Sequence, residues 1–195
     1  LVLWVEDDSG SPVPQAVVTW ALKTPVANTP SVSLTATMDQ IDRNFDPFIL
    51  AVETNTAIDF PNSDNVHHHV YSFSSAKTFE IELYHDEPQM PVVFDKPGMA
   101  TLGCNIHDGM VGYVYIFDNH QFVQSDSKGS VKIPHEITQL ANIEVFHPHL
   151  DSGISSISFP IEKLVEAEKI ATLPLSLPNT ENQPLSPIER RFQIL

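Results

Sequence analysis

Apolar residues recur along this chain in short runs broken by turn-forming residues. Leu1-Val2-Leu3-Trp4-Val5 and Ala16-Val17-Val18-Thr19-Trp20-Ala21-Leu22 flank the polar turn Glu6 to Pro14. Ile49 to Val52 and Ala57 to Phe60 form a further pair around Glu53-Thr54-Asn55-Thr56. Val66 to Phe73, Thr78 to Tyr84, Val92 to Phe94, Ala100 to Gly103 and Val111 to Phe117 continue the series. Such runs, rich in β-branched and aromatic residues, predict strands. Beyond Asp118, the Phe122 to Gln124 and Ser130 to Ile133 runs predict a hairpin with Gly129 at a positive-φ position. Ile143 to Phe146, Ile154 to Phe159 and Leu173 to Leu177 read as later strands. Only Ile161 to Ala171 has helical apolar spacing. Residues 23 to 31 read as a linker, and the proline-dotted stretch 178–195 as a loose tail. The fold class expected from this texture is all-β, built as sandwiches.

Composition narrows the function. The 195 residues include 16 prolines and only 7 glycines, in keeping with strands and loops. A formal net charge of −15 repels phosphate backbones and anionic lipid, so nucleic acid is not an expected partner. A basic protein or a cation is. No apolar run reaches the roughly 20 residues of a membrane-spanning helix. The single cysteine cannot form an internal disulfide, and it stands among nine histidines.

That cysteine lies in Leu102-Gly103-Cys104-Asn105-Ile106-His107-Asp108-Gly109-Met110-Val111-Gly112. Thiolate and imidazole three residues apart on a tight loop can reach one ion, and a thioether three residues further on can sit above them. Soft sulfur with borderline nitrogen selects copper. A second imidazole would complete a trigonal two-nitrogen, one-sulfur site with a long axial methionine, the blue-copper arrangement. Val66-His67-His68-His69-Val70 offers it. Strand alternation puts His69 on the face of Tyr71 and Phe73, and His68 on the face of Val66 and Val70. Taken singly, Cys104 and Met110 also fit an ordinary core. A catalytic Cys104/His107 pair oriented by Asp108 would need electropositive surroundings, whereas these are acidic. Zinc is a poor match for a methionine ligand. His85, His120 and His135 read as surface residues. His147-x-His149 with Asp151 reads as a loop or a weak second metal site, and Glu6-Asp7-Asp8 as a solvated turn.

The segment resembles the cupredoxins. Cys104-x-x-His107-x-x-Met110 has the spacing of amicyanin. Met110-x-Gly112-x-Val114 is similar to the start of the last strand in amicyanin and plastocyanin. Phe94-x-x-Pro97-Gly98 resembles the turn that leads to the cysteine, and Asn62 with His68-x-Val70 resembles the stretch around the first ligand in plastocyanin. The whole is similar to bacterial cupredoxins known as methylamine utilisation proteins. The resemblance covers residues 31–118 and implies a Greek-key β-sandwich holding one mononuclear copper ion through His68, Cys104, His107 and Met110. His69 stands where those families have asparagine. The motif alignment selects His68 as first ligand, the aromatic face His69. Supporting hydrogen bonds to the sulfur are expected from backbone N–H groups near Asn62 or Asn105.

The flanks resemble a different fold. Val5 to Val18, Ser125 to Ile133 and Ile143 to Pro148 are similar, in order, to pieces of carboxypeptidase-regulatory-like, transthyretin-like β-sandwiches. The expected organisation is therefore a cupredoxin, 31–118, inserted in a small second sandwich made of 1–30 plus 119–177. The implied function is outer-sphere electron transfer rather than enzymatic turnover. The expected partner is a redox protein, such as a basic c-type cytochrome or a dehydrogenase, in the periplasm after removal of an export signal. A copper carrier or sensor that binds the ion without redox turnover is the alternative.

Overall fold

The computed structural model describes residues 1–24, 34–86, 90–118, 121–150 and 156–162, with the backbone of 172–175. The expected linker beyond Thr24, most of the expected helix, Asp151, His120 and the tail lie outside the described residues.

Two strands open the chain, β1 (Val2–Asp7) and β2 (Val17–Leu22). Next come β3 (Thr35–Thr37), β4 (Asp39–Ile41), β5 (Asn44–Asp46), β6 (Ile49–Glu53) and β7 (Thr56–Asp59). They are followed by β8 (His68–Ser74), β9 (Lys77–Tyr84), β10 (Val92–Phe94), β11 (Gly98–Gly103) and β12 (Val111–Phe117). The last described strands are β13 (Gln121–Gln124), β14 (Ser130–Lys132), β15 (Leu140–Phe146), β16 (Ile157–Pro160) and β17 (Thr172–Leu175). Before β15 stands a single 3-10 turn, Ile137–Gln139. The all-β expectation holds for the described residues.

The chain divides into two compact units. Among the described residues, the first takes 1–24, 121–150, 156–162 and 172–175, and the second takes 34–86 and 90–118.

In the first unit, β1 lies between β14 and β17, while β2 and β15 are the inner strands of the order β13-β2-β15-β16. Leu3 and Val5 of β1, Val131 of β14, Val18 and Trp20 of β2, and Ile143 and Val145 of β15 share one buried core. The expected hairpin across Gly129 is a correction. Its turn forms, with Gly129 at φ 72° and Asp126 accepting from Lys128 and Ser130 N–H groups. However, β13 pairs with β2 and β14 with β1, so the turn is a corner between sheets. Val131 thereby faces the same core as Val18 from the opposite side.

In the second unit, one sheet runs β6-β12-β11-β8-β9 and the other β10-β7-β3. β12 is antiparallel to β11 and parallel to β6. The chain changes sheet between β6 and β7, β7 and β8, β9 and β10, and β10 and β11, the crossover pattern of a Greek-key sandwich. The run 49–60 is therefore not a hairpin either. Ile58 and Phe94 from the smaller sheet meet Val70, Ala100, Leu102, Val114 and Ile116 from the larger one in a single buried cluster. Phe45, Phe60 and Met38 belong to the same cluster. Each large side chain so buried contributes about 1.5–3 kcal/mol. Cys104 and Met110 belong to the same cluster, so the candidate site is built against the packed interior of the unit.

Candidate metal centre

The loop from Cys104 to Met110 joins β11 to β12, whose register pairs Gly103 with Val111. Both ends of the loop are therefore fixed by the ladder. Inside it, the Cys104 N–H donates to Met110 O at 3.2 Å and the Met110 N–H to His107 O at 3.4 Å. Gly109 turns the chain at φ 75°, a conformation that suits glycine. β8 lies beside β11 through the pair Gly103–Tyr71, which brings the histidine triplet alongside.

The three histidines go three ways. His68 is fully buried, with Nδ1 3.8 Å from Cys104 Sγ. His69 turns to the other face. Its Nε2 meets Glu80 Oε1 at 2.9 Å, its ring lies 5.6 Å from that of Tyr71, and its Nδ1 is buried without a hydrogen-bond partner. The aromatic face predicted for His69 is real, but it faces away from the sulfur. His67 is exposed and lies against His85.

On the loop, His107 Nδ1 stands 3.4 Å from Cys104 Sγ, and the His68 and His107 rings are 4.7 Å apart. The ligand atoms of His68, Cys104 and His107 all lie within 4.8 Å of one another, the one such group among the described residues. Cys104 is 7 % exposed and His107 half-buried. Met110 is buried in the same cluster as Cys104.

One residue that the sequence reading missed completes the arrangement. Asp64 Oδ2 lies 2.7 Å from His68 Nε2. Its carboxylate also accepts the Asp42 and Arg43 N–H groups at 2.7 and 2.9 Å. Burial works to raise the Asp64 carboxyl, but the hydrogen bonds from Arg43, His68 and Asp42 outweigh it and hold the group below its ordinary value. An ionised carboxylate only accepts, so the His68 Nε2–H donates to Asp64 and Nδ1 is the ring nitrogen that faces the sulfur. This carboxylate–histidine pairing is the usual support of a metal-binding imidazole. His107 is held below its ordinary value by burial and then by the charges of His68 and Arg43, against Asp64 and Asp108. That favours the neutral ring a metal requires. Two imidazoles and one thiol facing one another, with His68 and Cys104 buried, match copper in donor type. The same carboxylate bears on the catalytic alternative, because it orients His68 instead of His107.

Asn62 takes a different role from the one expected. Its N–H donates to Asp86 O at 2.6 Å. Its side chain donates to Val66 O at 2.8 Å and accepts from the Asp64 N–H at 3.0 Å. It braces the loop that carries Asp64. Below it, Tyr84 donates to Phe60 O at 2.7 Å and accepts from the Gln40 amide. Burial pushes the Tyr84 hydroxyl up to about 12, so it stays a neutral donor.

The remaining candidates separate cleanly. His147 is buried, and its Nδ1 accepts the His149 N–H at 3.2 Å. His135 is half-buried, bonded to Gln121 and edge-on to Trp20, rather than a surface residue. The Asp7 carboxylate closes its own turn through Ser9 and Ser11.

No family model matches the chain, and no curated protein does. Among solved structures, a Cu-containing nitrite reductase from Thermus scotoductus SA-01 matches at 20 % identity and a TM-score of 0.41, over 48 % of this chain. This chain spans a quarter of that one's length, 25 %. A purple cupredoxin from Nitrosopumilus maritimus matches at 20 % identity and a TM-score of 0.38, over 42 % of this chain and 99 % of its own. A reduced Cu(I) form of an amicyanin mutant matches at 16 % identity and 0.39, over 51 % and 98 %. Likenesses this distant carry no inference about chemistry. The strand order and the side chains at Cys104 have to carry it.

Proposed function

We propose that the unit built from β3 to β12 is a cupredoxin-type domain that holds one mononuclear copper ion and passes single electrons between redox proteins. The observation that carries this reading is the buried His68–Cys104–His107 group with Asp64 behind His68. His68 Nδ1, Cys104 Sγ and His107 Nδ1 would hold the ion in a trigonal set, with Met110 as the weak axial ligand. Copper, when bound, supplies a one-electron couple between Cu(I) and Cu(II). The chain's own contribution is positional. The ladder pairs at Gly103 and Val111 hold both ends of the ligand loop, Asp64 fixes the His68 ring, and the buried cluster keeps water from the sulfur. His107 is the ligand nearest solvent and so the exit for the electron.

The residues before β3 and after β12 would form a second sandwich, 1–30 plus 119–177, with the cupredoxin, 31–118, inserted in it. Two sheets sharing one core on each side of that division support this organisation. A charge of −15 suits a basic partner such as a c-type cytochrome, and thiolate–copper chemistry suits the periplasm. Among the described residues, no helix is long and apolar enough to cross a membrane.

Voltammetry of the copper-loaded chain tests the proposal. A reversible one-electron wave, lost in Cys104→Ser, is the expected result. Tight Cu(I) binding with no reversible wave would leave a carrier or sensor instead.

A further inference from the structure

A second pair of histidines lies outside the buried group. β8 and β9 pair His68 with Tyr84, so His67 and His85 are the next residues outward on the two strands. Both are exposed. Their ring centroids lie 5.4 Å apart at an interplanar angle of 64°. Two imidazoles presented side by side from neighbouring strands offer nitrogen donors to one borderline cation.

The second observation concerns Asp86. Its Oδ1 lies 2.7 Å from His85 Nδ1. The carboxylate accepts a hydrogen bond from the His85 Nδ1–H, which leaves Nε2 as the ring nitrogen open to a cation. This is the carboxylate–histidine relation seen at His68 and Asp64. The backbone places it: Asp86 sits at φ 69° and its carbonyl is tied to the Asn62 N–H at 2.6 Å. A carboxylate on one ring nitrogen orients an imidazole for metal binding through the other. The chain's excess of 15 negative charges raises the local concentration of any dication.

We propose that His67 and His85 form a second, surface site for a divalent first-row cation, with Asp86 as the residue that positions His85. Imidazole nitrogens with water in the remaining positions suit Cu(II), Ni(II) and Zn(II), with Cu(II) held most tightly. The site is chemically distinct from the buried group because it has no sulfur, so an ion there would be colourless or weakly coloured and exchangeable.

The test is calorimetric titration of Ni(II) into the full chain already given one equivalent of copper, and into Cys104→Ser without copper. The copper-loaded chain should take up one Ni(II), and Cys104→Ser, which keeps the His68 and His107 imidazoles, at least one. Removing carboxylate support alone weakens metal sites about 10- to 100-fold, so His67→Ala and His85→Ala should each weaken Ni(II) uptake by at least about tenfold. The Cys104-dependent visible spectrum should stay unchanged in both variants, which shows that they fold. Absence of Ni(II) binding to the wild-type chain, or binding unaltered in both histidine variants, would overturn the proposal. The Cys104→Ser arm reads the surface pair even if the buried group fails to hold copper.

Discussion

Replacing Asp64 with alanine removes three accepted hydrogen bonds at once, from His68 Nε2 and from the Asp42 and Arg43 N–H groups. The two backbone donors belong to exposed residues and can turn to water. His68 cannot, because it is fully buried. A buried donor left without a partner costs about 1–3 kcal/mol, so the apo chain should lose about that much stability toward denaturant. The second consequence is on the metal. Without the carboxylate, either ring nitrogen of His68 can carry the proton, and the Nδ1 lone pair is no longer held toward Cys104. Loss of such support weakens metal sites about 10- to 100-fold, to be read by competition against a chelator of known affinity. Asp64→Asn keeps one acceptor oxygen and should fall between wild type and alanine in both measurements. If Asp64→Ala binds copper within twofold of wild type and unfolds at the same denaturant concentration, the claim that Asp64 sets the His68 tautomer is wrong.

Other expectations follow from particular contacts. Gly112→Ala would place a Cβ 2.8 Å from Phe45 Cβ, and Phe45 is 2 % exposed; such overpacking should cost about 1–3 kcal/mol in equilibrium unfolding, and an unchanged midpoint would refute it. Gly129→Ala would set a Cβ against Val5 O at a φ of 72°; strain at such a position alone costs about 1–3 kcal/mol, so a neutral variant would show that the corner relaxes freely. Burial, then the neighbouring His149, depresses His147 from 6.5 to about 4. For a base with a lowered folded pKa, the unfolded chain binds more protons between those values. Stability is therefore complete above pH 6.5 and falls as pH drops toward 4, by about 3 kcal/mol. His147→Gln should flatten that part of the stability profile, and an equally steep profile in the variant would exclude His147 as its source. Electron exchange with a basic partner should slow as salt rises; a salt-independent rate would contradict the steering expected from the net charge.

How much of this was legible in the sequence depended on distance along the chain. Cys104, His107 and Met110 are local, so spacing alone announced their shared loop. The strand segments were legible from apolar runs, but not their partners. β6 and β7 read as a strand pair, and β13 and β14 as a hairpin, because adjacent runs with a turn between them usually bond to each other. Here each pair splits so that Ile58 and Val131 reach cores from the opposite sheet. The short strands β3, β4 and β5 gave no signal, because Thr35–Thr37, Asp39–Ile41 and Asn44–Asp46 carry no apolar run. The choice between His68 and His69 resisted alternation for a structural reason. Alternation put His68 and His69 on opposite faces, as found, but His68, His69 and Val70 are all buried, so both faces of β8 are covered there and the aromatic one is not the face that holds the sulfur. Asp64 was hidden because its role comes from a loop turning back on β8. Its one visible sign was a carboxylate four residues ahead of a candidate ligand.

The most direct measurement is a visible absorption titration of the chain and of Cys104→Ser with Cu(II). An intense sulfur-to-copper charge-transfer band that saturates at one equivalent in the wild type, and is missing from the serine variant, is predicted. Matching weak spectra from both chains would mean that Cys104 is a buried thiol and nothing more.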